Sequence, residues 1–247
     1  MDRLAYTSLS ALRGAMARQT ATANNLANVN TVGFRGEMAA ARALWVRGDT
    51  HEARAFSSSE VSGADMRPGT INQTGRDLDV AIDGSAFFSV QASDGEEAYT
   101  RRGDLQLSDS GVLTTGDGHV VLGEQGPITL PPADKVEIKR DGSIYVVPTG
   151  GDSKQPQLVD KLKIASPTGS NIVKGLDGLF RVRDGGALPS DTNPRVIAGS
   201  LEGSNVEATK ALVDMMDASR AWETQLKLIS TARELDGSGA DLMRLPE

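Results

Sequence analysis

The sequence predicts an α+β fold. Paired, coiled-coil-like helices at the two ends of the chain bracket a β-rich domain of short hairpins. This domain is expected to resemble a sandwich or a barrel. Two observations predict this arrangement. Apolar residues recur at alternating spacings of four and three near both termini, which is typical of helices that pack along a seam. Between these segments, short apolar runs alternate with turns, and 27 of the 247 residues are glycine.

The first helix is predicted to begin near Asp2, a suitable N-cap, and to end between Asn28 and Gly33. It ends there because asparagine tolerates, and glycine readily adopts, the left-handed conformation of a helix C-terminus. The apolar seam of this helix consists of Ala5, Leu9, Leu12, Met16, Gln19, Ala23 and Leu26.

Three asparagines near the end of this helix, Asn24, Asn25 and Asn28, lie on faces that flank the seam. Two interpretations stay open. These residues are either a solvated helix end, or their amides hydrogen-bond to adjacent subunits, since asparagine donates and accepts at once. A buried amide without partners would cost about 1–3 kcal/mol, so the second kind of contact would depend on the register of the subunits.

Residues 36–74 are polar and poorly periodic, and the sequence predicts an extended connector there, with a short helix as the alternative at residues 38–46. Residues 75–200 are predicted to form the β-rich domain. Two hairpins have the clearest pattern of strand, Asp/Gly turn and strand, at residues 105–113 and 136–147.

The first strand of the β-rich domain is predicted from the alternation of Leu78, Val80 and Ile82 with polar or small residues. This alternation is typical of a strand with one buried face. Asp79 and Asp83 are therefore assigned to the solvent-exposed face of the strand.

The last segment, residues 201–247, is predicted to contain the second helix, which begins with a capping box of Ser204 and Glu207. Its seam consists of Ala208, Leu212, Met215, Ser219, Trp222, Leu226 and Ile229. Three more residues, Val206, Val213 and Met216, widen this apolar stripe over its first half. A stripe wider than one seam indicates more than one neighbouring helix.

The composition excludes several classes of partner and site. A formal net charge of −7 argues against nucleic acid, because phosphate binding needs a basic surface. The pairs Arg101-Arg102 and Lys139-Arg140 are interpreted as solvated edge-strand residues. The chain has no cysteine, and no apolar run approaches the ~20 residues of a membrane span. Arg13 and Gln19 interrupt the first apolar segment, which argues against a secretory signal.

The sequence predicts no catalytic, cofactor or metal site. His51 and His119 have no partner residue at metal-ligand or general-base spacing and are interpreted as exposed loop histidines. The motifs GxxxxGK[ST], GxGxxG and GxSxG do not occur. One alternative of another class is a β-domain module that binds the cell wall, which would require a convergent polar cluster in a cleft.

Several motifs resemble, in the same order, those of the bacterial flagellar rod and hook proteins, the axial family. These motifs are ANNLANVNTVGFR at residues 23–35, LDVAIDGSAFF at 78–88, YTRRG at 99–103, GVLTTGDGHVVLG at 111–123 and GSLEGSNV at 199–206. The segments MDRLAYTS at 1–8 and GADMRPG at 63–69 are most similar to a proximal-rod member of the family. Ala86 departs from the pattern, because the family usually has glycine before the two phenylalanines.

The resemblance implies a structural, non-enzymatic subunit of the flagellar basal-body rod, located in the periplasm, that helps to transmit torque. It implies export through the flagellar type III apparatus without a cleaved signal peptide. The implied partners are other rod proteins and copies of the same chain, with no nucleic acid and no membrane span. The terminal helices, residues 1–35 and 201–247, would form the inner tube of the rod, with residues 75–200 outside it. A distal-rod or hook subunit is the alternative within the family.

The residues predicted to contact neighbouring subunits come from both helices and from the motifs that flank them. In the N-terminal part they are Leu9, Leu12, Met16, Ala23, Asn24, Asn25, Leu26, Asn28, Thr31, Gly33 and Phe34. In the C-terminal part they are Ser204, Asn205, Val206, Leu212, Val213, Met215, Met216, Trp222, Leu226 and Ile229.

Overall fold

The computed structural model of the protein describes residues 2–46, 54–150 and 156–243, and His51 lies outside them. The described residues form two compact units. The first unit contains both long helices and a pair of strands, and the second contains the β-rich region. The first unit comprises residues 2–27, 37–46, 54–63 and 207–243, and the second comprises residues 28–36, 64–150 and 156–206.

The helices of the first unit are α1 (Asp2–Ala27) and α2 (Ala208–Met243), and α1 packs against α2. Its strands are β1 (Glu37–Val46) and β2 (Arg54–Ala64), which pair with each other. The bounds of α1 confirm the first predicted helix. The helix considered for residues 38–46 is wrong, because pairing with β2 overrides the helix propensity of the alanines in that segment.

The described residues of the second unit form fifteen short strands. They are β3 (Ile71–Gln73), β4 (Val80–Ile82), β5 (Phe87–Gln91), β6 (Glu97–Thr100), β7 (Leu105–Leu107), β8 (Leu113–Thr115), β9 (Val120–Val121), β10 (Ala133–Ile138), β11 (Ser143–Pro148), β12 (Gln157–Lys161), β13 (Ile164–Ala165), β14 (Ile172–Lys174), β15 (Phe180–Val182), β16 (Val196–Ala198) and β17 (Ser200–Glu202). Together with the two helices, these strands confirm the predicted α+β class.

The largest sheet of the second unit follows the strand order β14-β15-β6-β5-β9-β8-β7, and β13 also pairs with β5. A separate sheet has the order β10-β11-β12. Two short pairs, β4 with β16 and β3 with β17, join strands that are distant in sequence. These two pairs bring the segment after residue 195 back against the start of the β-rich region.

The two predicted hairpins are confirmed. In the first, β7 pairs with β8 and Leu107 lies opposite Leu113. In the second, β10 pairs with β11 and Ile138 lies opposite Ile144. The second turn requires Gly142, whose φ of 85° places it in the left-handed region, as an Asp-Gly turn predicts.

Strand β5 is buried on both faces. Phe88 and Val90 belong to the larger hydrophobic core, whereas Phe87 belongs to a smaller cluster that contains Tyr99 and Phe180. Successive side chains of a strand point to opposite faces. The two consecutive phenylalanines therefore pack into two different hydrophobic clusters, and β5 lies between these clusters.

The assignment of Asp79 to a solvent-exposed face is wrong. This residue is buried, and its carboxylate accepts a hydrogen bond of 2.6 Å from Thr74 Oγ1. All three residues of β4, including Ala81, are buried as well. The alternation of apolar and polar residues misleads here because β4 pairs with β16 and is covered on both faces. Asp83, by contrast, is exposed as predicted.

Two backbone segments of the second unit approach each other closely at Gly103. A Cβ added at this position would lie 1.7 Å from the carbonyl oxygen of Val80, and a backbone atom cannot rotate away. We expect Gly103→Ala to lower the free energy of unfolding by about 2–4 kcal/mol, measured by urea denaturation. Gly203→Ala is the matched control, since its added Cβ would meet no atom closer than 3.4 Å. Equal stabilities for the two variants would contradict this packing.

Candidate functional site

The helices of the first unit bury small side chains. The buried residues are Ser8, Gly14, Ala15 and Ala21 on α1 and Ala211 and Ala218 on α2. Small side chains allow two helix axes to come close together, because the distance between packed helices depends on the residues at the contact. The fully buried part of the intramolecular contact is therefore formed by small residues.

Two buried residues of α1, Ser8 and Ala15, directly precede residues of the predicted seam. The prediction placed the next residues, Leu9 and Met16, at the helix contact. One residue rotates the position around a helix by about 100°. On α2, Met215, Trp222 and the other half-buried residues of the predicted seam do lie beside the buried alanines.

The large apolar side chains of the predicted seams remain accessible in this unit. The exposed fractions are 41% to 56% for Leu9, Met16, Leu212, Val213, Met216 and Leu226. Ala23 is also exposed, and Leu12, Leu26, Met215, Trp222 and Ile229 are half-buried. The first unit thus has a stripe of exposed apolar residues, which is typical of a helical surface that has another partner. We call the six residues with these measured exposures the apolar stripe.

The asparagines at the end of α1 bind the start of β1. The Asn25 amide donates to the Glu37 carbonyl oxygen at 2.9 Å and accepts from the Glu37 N–H at 2.6 Å. The Asn24 amide donates to the Glu37 carboxylate at 2.6 Å. The donor and acceptor groups of Asn25 thus have partners in the same chain, a third possibility that neither sequence interpretation contained.

The predicted capping box of α2 is replaced by a different local arrangement. The helix begins at Ala208, and its first backbone bond joins the Ala211 N–H to the Glu207 carbonyl oxygen at 2.9 Å. Ser204 Oγ instead accepts from the N–H of Val206 at 3.2 Å. Ser204 and Val206, both half-buried, therefore stabilise a turn before the helix.

In the second unit, residues 28–36 form a turn that begins with Asn28. Thr31 Oγ1 donates to Asn28 Oδ1 at 3.1 Å, and the Thr31 N–H donates to the Asn28 carbonyl oxygen at 3.1 Å. The Phe34 ring lies beneath the Lys174 ammonium group, 3.8 Å from its centroid, which is a cation–π distance. The turn is thus held by its own polar groups and by one strand of the largest sheet.

Gly33 is buried in this turn and has a φ of 66°. Its N–H donates to the Glu202 carbonyl oxygen at 2.7 Å. A Cβ added at Gly33 would lie 2.4 Å from the carbonyl carbon of Arg101. Glycine is therefore required here both for its left-handed conformation and for the close approach of two backbones.

The side-chain amide of Asn205 makes three hydrogen bonds with other segments of the second unit. Its Oδ1 accepts from the Gly36 N–H at 2.8 Å, and its Nδ2 donates to the carbonyl oxygens of Asp65 and Arg67 at 2.8 and 2.9 Å. One amide therefore satisfies backbone groups from two segments more than 130 residues away in sequence. Its predicted contact with a neighbouring subunit would have to use another part of the residue.

The second unit contains a buried cluster of Arg35, Arg101 and Glu202, which we call the charge triad. The side chains of all three residues are at most 2% exposed. Arg35 Nη2 lies 2.7 Å from Glu202 Oε1, and Arg101 Nε donates to Glu202 Oε2 at 2.7 Å. The N–H of Gly69 donates to Glu202 Oε1 at 2.8 Å.

Arg101 has further acceptors in the backbone. Its Nη1 donates to the Ala86 carbonyl oxygen, and its Nη2 donates to the Ile82 carbonyl oxygen at 2.9 Å. Burial lowers the pKa of Arg101, and the negative charge of Glu202 opposes this change. The interpretation of Arg101 as a solvated edge-strand residue is wrong, since the residue is buried and fully engaged.

The charge triad was not predicted from the sequence, although each of its members lies in one of the motifs. Arg35 ends the first motif, Arg101 lies within YTRRG and Glu202 lies within GSLEGSNV. The available signal was the presence of a charged residue close to a glycine in each motif. Pairing those charges requires knowledge of which segments meet in the fold, and local patterns do not contain it.

Among the described residues, no group of three or more histidine, cysteine, aspartate or glutamate side chains could hold a metal ion. Neither described helix is long and apolar enough to cross a membrane. The first unit offers an apolar surface, and in the second unit the charge triad joins the segments that contain Arg35, Arg101 and Glu202.

Three family models match the chain. Residues 6–35 match a model described as flagella basal body rod protein. Residues 81–146 match the flagellar hook protein FlgE/F/G D1 domain. Residues 197–242 match the flagellar basal body rod FlgEFG protein C-terminal model. Each of these three matches includes one member of the charge triad.

Individual relatives match almost the full chain. The chain is 38% identical to the flagellar basal-body rod protein FlgF of Escherichia coli (strain K12), over 99% of this chain and 100% of the relative. The FlgF protein of Salmonella typhimurium matches with the same identity and coverage. The flagellar basal-body rod protein FlgG of Bacillus subtilis (strain 168) is 30% identical, over 95% of this chain and 97% of the relative.

The charge triad predicts a large effect for Glu202→Gln. The variant would leave two buried arginines without a carboxylate, so we expect the free energy of unfolding to fall by about 3–5 kcal/mol. The measurement is urea denaturation followed by circular dichroism. Glu137→Gln is the control, because Glu137 pairs with Lys139 on the surface and its loss should leave the midpoint unchanged. A Glu202→Gln variant as stable as the parent would show that the triad has no structural role.

The contact of Asn25 with Glu37 predicts a local effect for Asn25→Ala. The Glu37 N–H would lose its acceptor, so we expect its hydrogen exchange to accelerate about tenfold or more, the equivalent of 1.4 kcal/mol. Exchange measured by NMR on the full chain would report this change. Asn30→Ala removes the same group from an exposed position and should leave that amide unaffected. Unchanged exchange in Asn25→Ala would refute the contact.

Proposed function

The chain belongs to the flagellar basal-body rod protein family, and from this we propose that it is the FlgF-type subunit of the proximal rod. In this function it polymerises through its terminal helices into the shaft that transmits torque for motility. The assignment is supported by 38% identity to two FlgF proteins over 99% of the chain, against 30% to the FlgG protein of Bacillus subtilis.

The observation that carries the mechanism is the apolar stripe on α1 and α2. The two helices already bury their small residues against each other, and yet six large apolar side chains remain 41% to 56% exposed. Burying one such side chain is worth about 1.5–3 kcal/mol. Contact with the helices of adjacent subunits would cover this surface, which makes association favourable without any chemical reaction.

A rod subunit makes contacts that do not close into a ring. Such heterologous contacts join different surfaces of identical or related chains and therefore generate helical assemblies. We propose that residues 1–35 and 201–247 form the inner tube of the rod and residues 75–200 lie outside it. The partners would be other proximal and distal rod subunits and copies of this chain. The predicted interface residues outside the apolar stripe, such as Leu12, Trp222 and Ile229, would complete these contacts.

The route to this position would be export through the flagellar type III apparatus into the periplasm, without a cleaved signal peptide. The support for this route is the membership of the family and the interrupted apolar pattern near Arg13 and Gln19. We also propose that the subunit has no catalytic role and no nucleic-acid partner. A formal net charge of −7 supports the second part of this proposal.

The apolar stripe predicts that its polar substitution blocks assembly and not folding. We expect Leu212→Ser combined with Met216→Ser to reduce incorporation into isolated basal bodies at least about tenfold, because two apolar contacts of over 1 kcal/mol each are lost. Swimming in soft agar should decline in parallel, whereas the circular dichroism of the purified subunit should not change.

The matched control for this experiment is Lys210→Ser combined with Glu223→Ser, two exposed polar positions on the same helix. This control variant should be incorporated normally. Normal incorporation and motility of the Leu212→Ser, Met216→Ser variant would contradict the proposed assembly surface.

A further inference from the structure

The second unit contains a cavity that no part of the proposed function uses. Its volume is about 310 Å³. Arg35 and Phe87, which are both buried, line its interior, and the exposed residues Ser85 and Asn171 line its mouth. The cavity therefore has a charged group in its interior and an opening at the surface of this unit.

Arg35 is incompletely paired in this cavity. Its Nη2 contacts Glu202, but its buried Nε and Nη1 have no hydrogen-bond partner among the described residues. The Arg35 side chain is only 2% exposed. Buried polar groups are nearly always hydrogen-bonded, and an unsatisfied donor is unfavourable by about 1–3 kcal/mol. An acceptor that is not among the described residues would satisfy at least one of these two donors.

The charge around the cavity is positive. Arg35 and Arg101 share the single carboxylate of Glu202, so the charge triad has a net charge of +1. The exposed carboxylate of Asp83 also acts on Arg101. The carboxylate of Asp65, which is near enough to feel the charge of Arg35, is already held by Arg67. A negatively charged acceptor would thus be favoured over a neutral one.

We propose that this cavity binds the carboxylate of a glutamate or aspartate side chain from a neighbouring rod subunit. The free N–H groups on Nε and Nη1 of Arg35 are not parallel, so a carboxylate would accept a charge-assisted hydrogen bond from one of them. The apolar lining residues Met66, Phe87 and Ile172 suit the methylene stem that such a side chain carries. Copies of this chain are acidic, with 33 aspartates and glutamates against 26 lysines and arginines, so their surfaces can supply the group. The inference rests on the proposed function, because it places another subunit beside this unit.

A phosphate-like dianion fits the cavity less well. It would bring two negative charges to a triad with a net charge of +1, and its tetrahedral oxygens would face the apolar wall formed by Met66 and Ile172. A backbone carbonyl could occupy the donors but would leave this net charge unchanged. The carboxylate with an apolar stem is the group that satisfies both the charge and the lining.

The test uses N-acetyl-glutamate α-amide as the probe and N-acetyl-glutamine α-amide as its neutral counterpart. Each is titrated into the full-length ¹⁵N-labelled subunit while the Nε–Hε resonance of Arg35 is followed by NMR. We expect a saturable shift with the glutamate probe and at least about tenfold weaker binding of the glutamine probe. No saturable shift, or equal binding of the two probes, would overturn the proposal.

Two variants connect this result with assembly. Ser85→Phe places a large ring at the mouth of the cavity, and Ser93→Phe places the same ring at an exposed site elsewhere in the unit. We expect Ser85→Phe to abolish the shift of Arg35 and to reduce incorporation into basal bodies severalfold, and Ser93→Phe to do neither. Probe binding with normal incorporation of Ser85→Phe would overturn the neighbouring subunit as the source and assign the site to a free carboxylate.

These outcomes are separable from those of the proposed function. If the parent chain is absent from basal bodies, the proposed function fails whatever the probes do. If the parent chain is incorporated and the probes do not bind, only the carboxylate site fails.

Discussion

Glu202 holds two arginines from distant parts of the chain in an interior where an unpaired charge would be strongly unfavourable. Removing ions from water is unfavourable by several kcal/mol for each ion, and their mutual attraction compensates only when the geometry is good. The charge triad therefore contributes less to stability than its short distances suggest. Its main consequence is that Arg35, Arg101 and Glu202 must all be in place together, which makes the second unit depend on three separate segments.

The backbone contacts around the triad follow from this requirement. Gly33 donates to the Glu202 carbonyl oxygen and approaches the Arg101 backbone so closely that a Cβ would not fit. Asn205 lies three residues after Glu202 and satisfies the backbone of Gly36, which follows Arg35. The ion pair between Arg35 and Glu202 and the hydrogen bond between Gly36 and Asn205 thus join the same two segments of the chain. Residues 28–36 are consequently part of the second unit, although they follow α1 directly in the sequence.

Much of the fold could be predicted because it depends on local patterns. The presence of both helices and the bounds of α1 follow from periodicity, and the Asp/Gly turns between apolar runs indicate the two hairpins. Asp79 and Arg101 could not be assigned correctly, since a charged residue in an alternating segment looks solvated until its partner is known. The Asn25 contact was missed for a related reason: its partner is the backbone of Glu37, and a backbone group has no sequence signature.

The seam of α1 shows a different limit of sequence reasoning. This helix has two overlapping repeats, one of small residues through Ser8 and Ala15 and one of large residues through Leu9 and Met16. Hydrophobicity favours the second repeat, so the sequence predicts it as the contact with α2. The fold uses the first repeat within the chain, because small side chains let the helices approach closely.

This division between small and large residues has an energetic consequence for a subunit that polymerises. An alanine buries less apolar area than a leucine or methionine, so the contact between α1 and α2 gains less from the hydrophobic effect than the apolar stripe would. The six residues of the apolar stripe are 41% to 56% exposed, so apolar area on both helices remains for neighbouring subunits to cover. Association and firm packing of the helix pair are consequently coupled, since partners that cover Leu9, Met16 and Met216 stabilise the pair they bind.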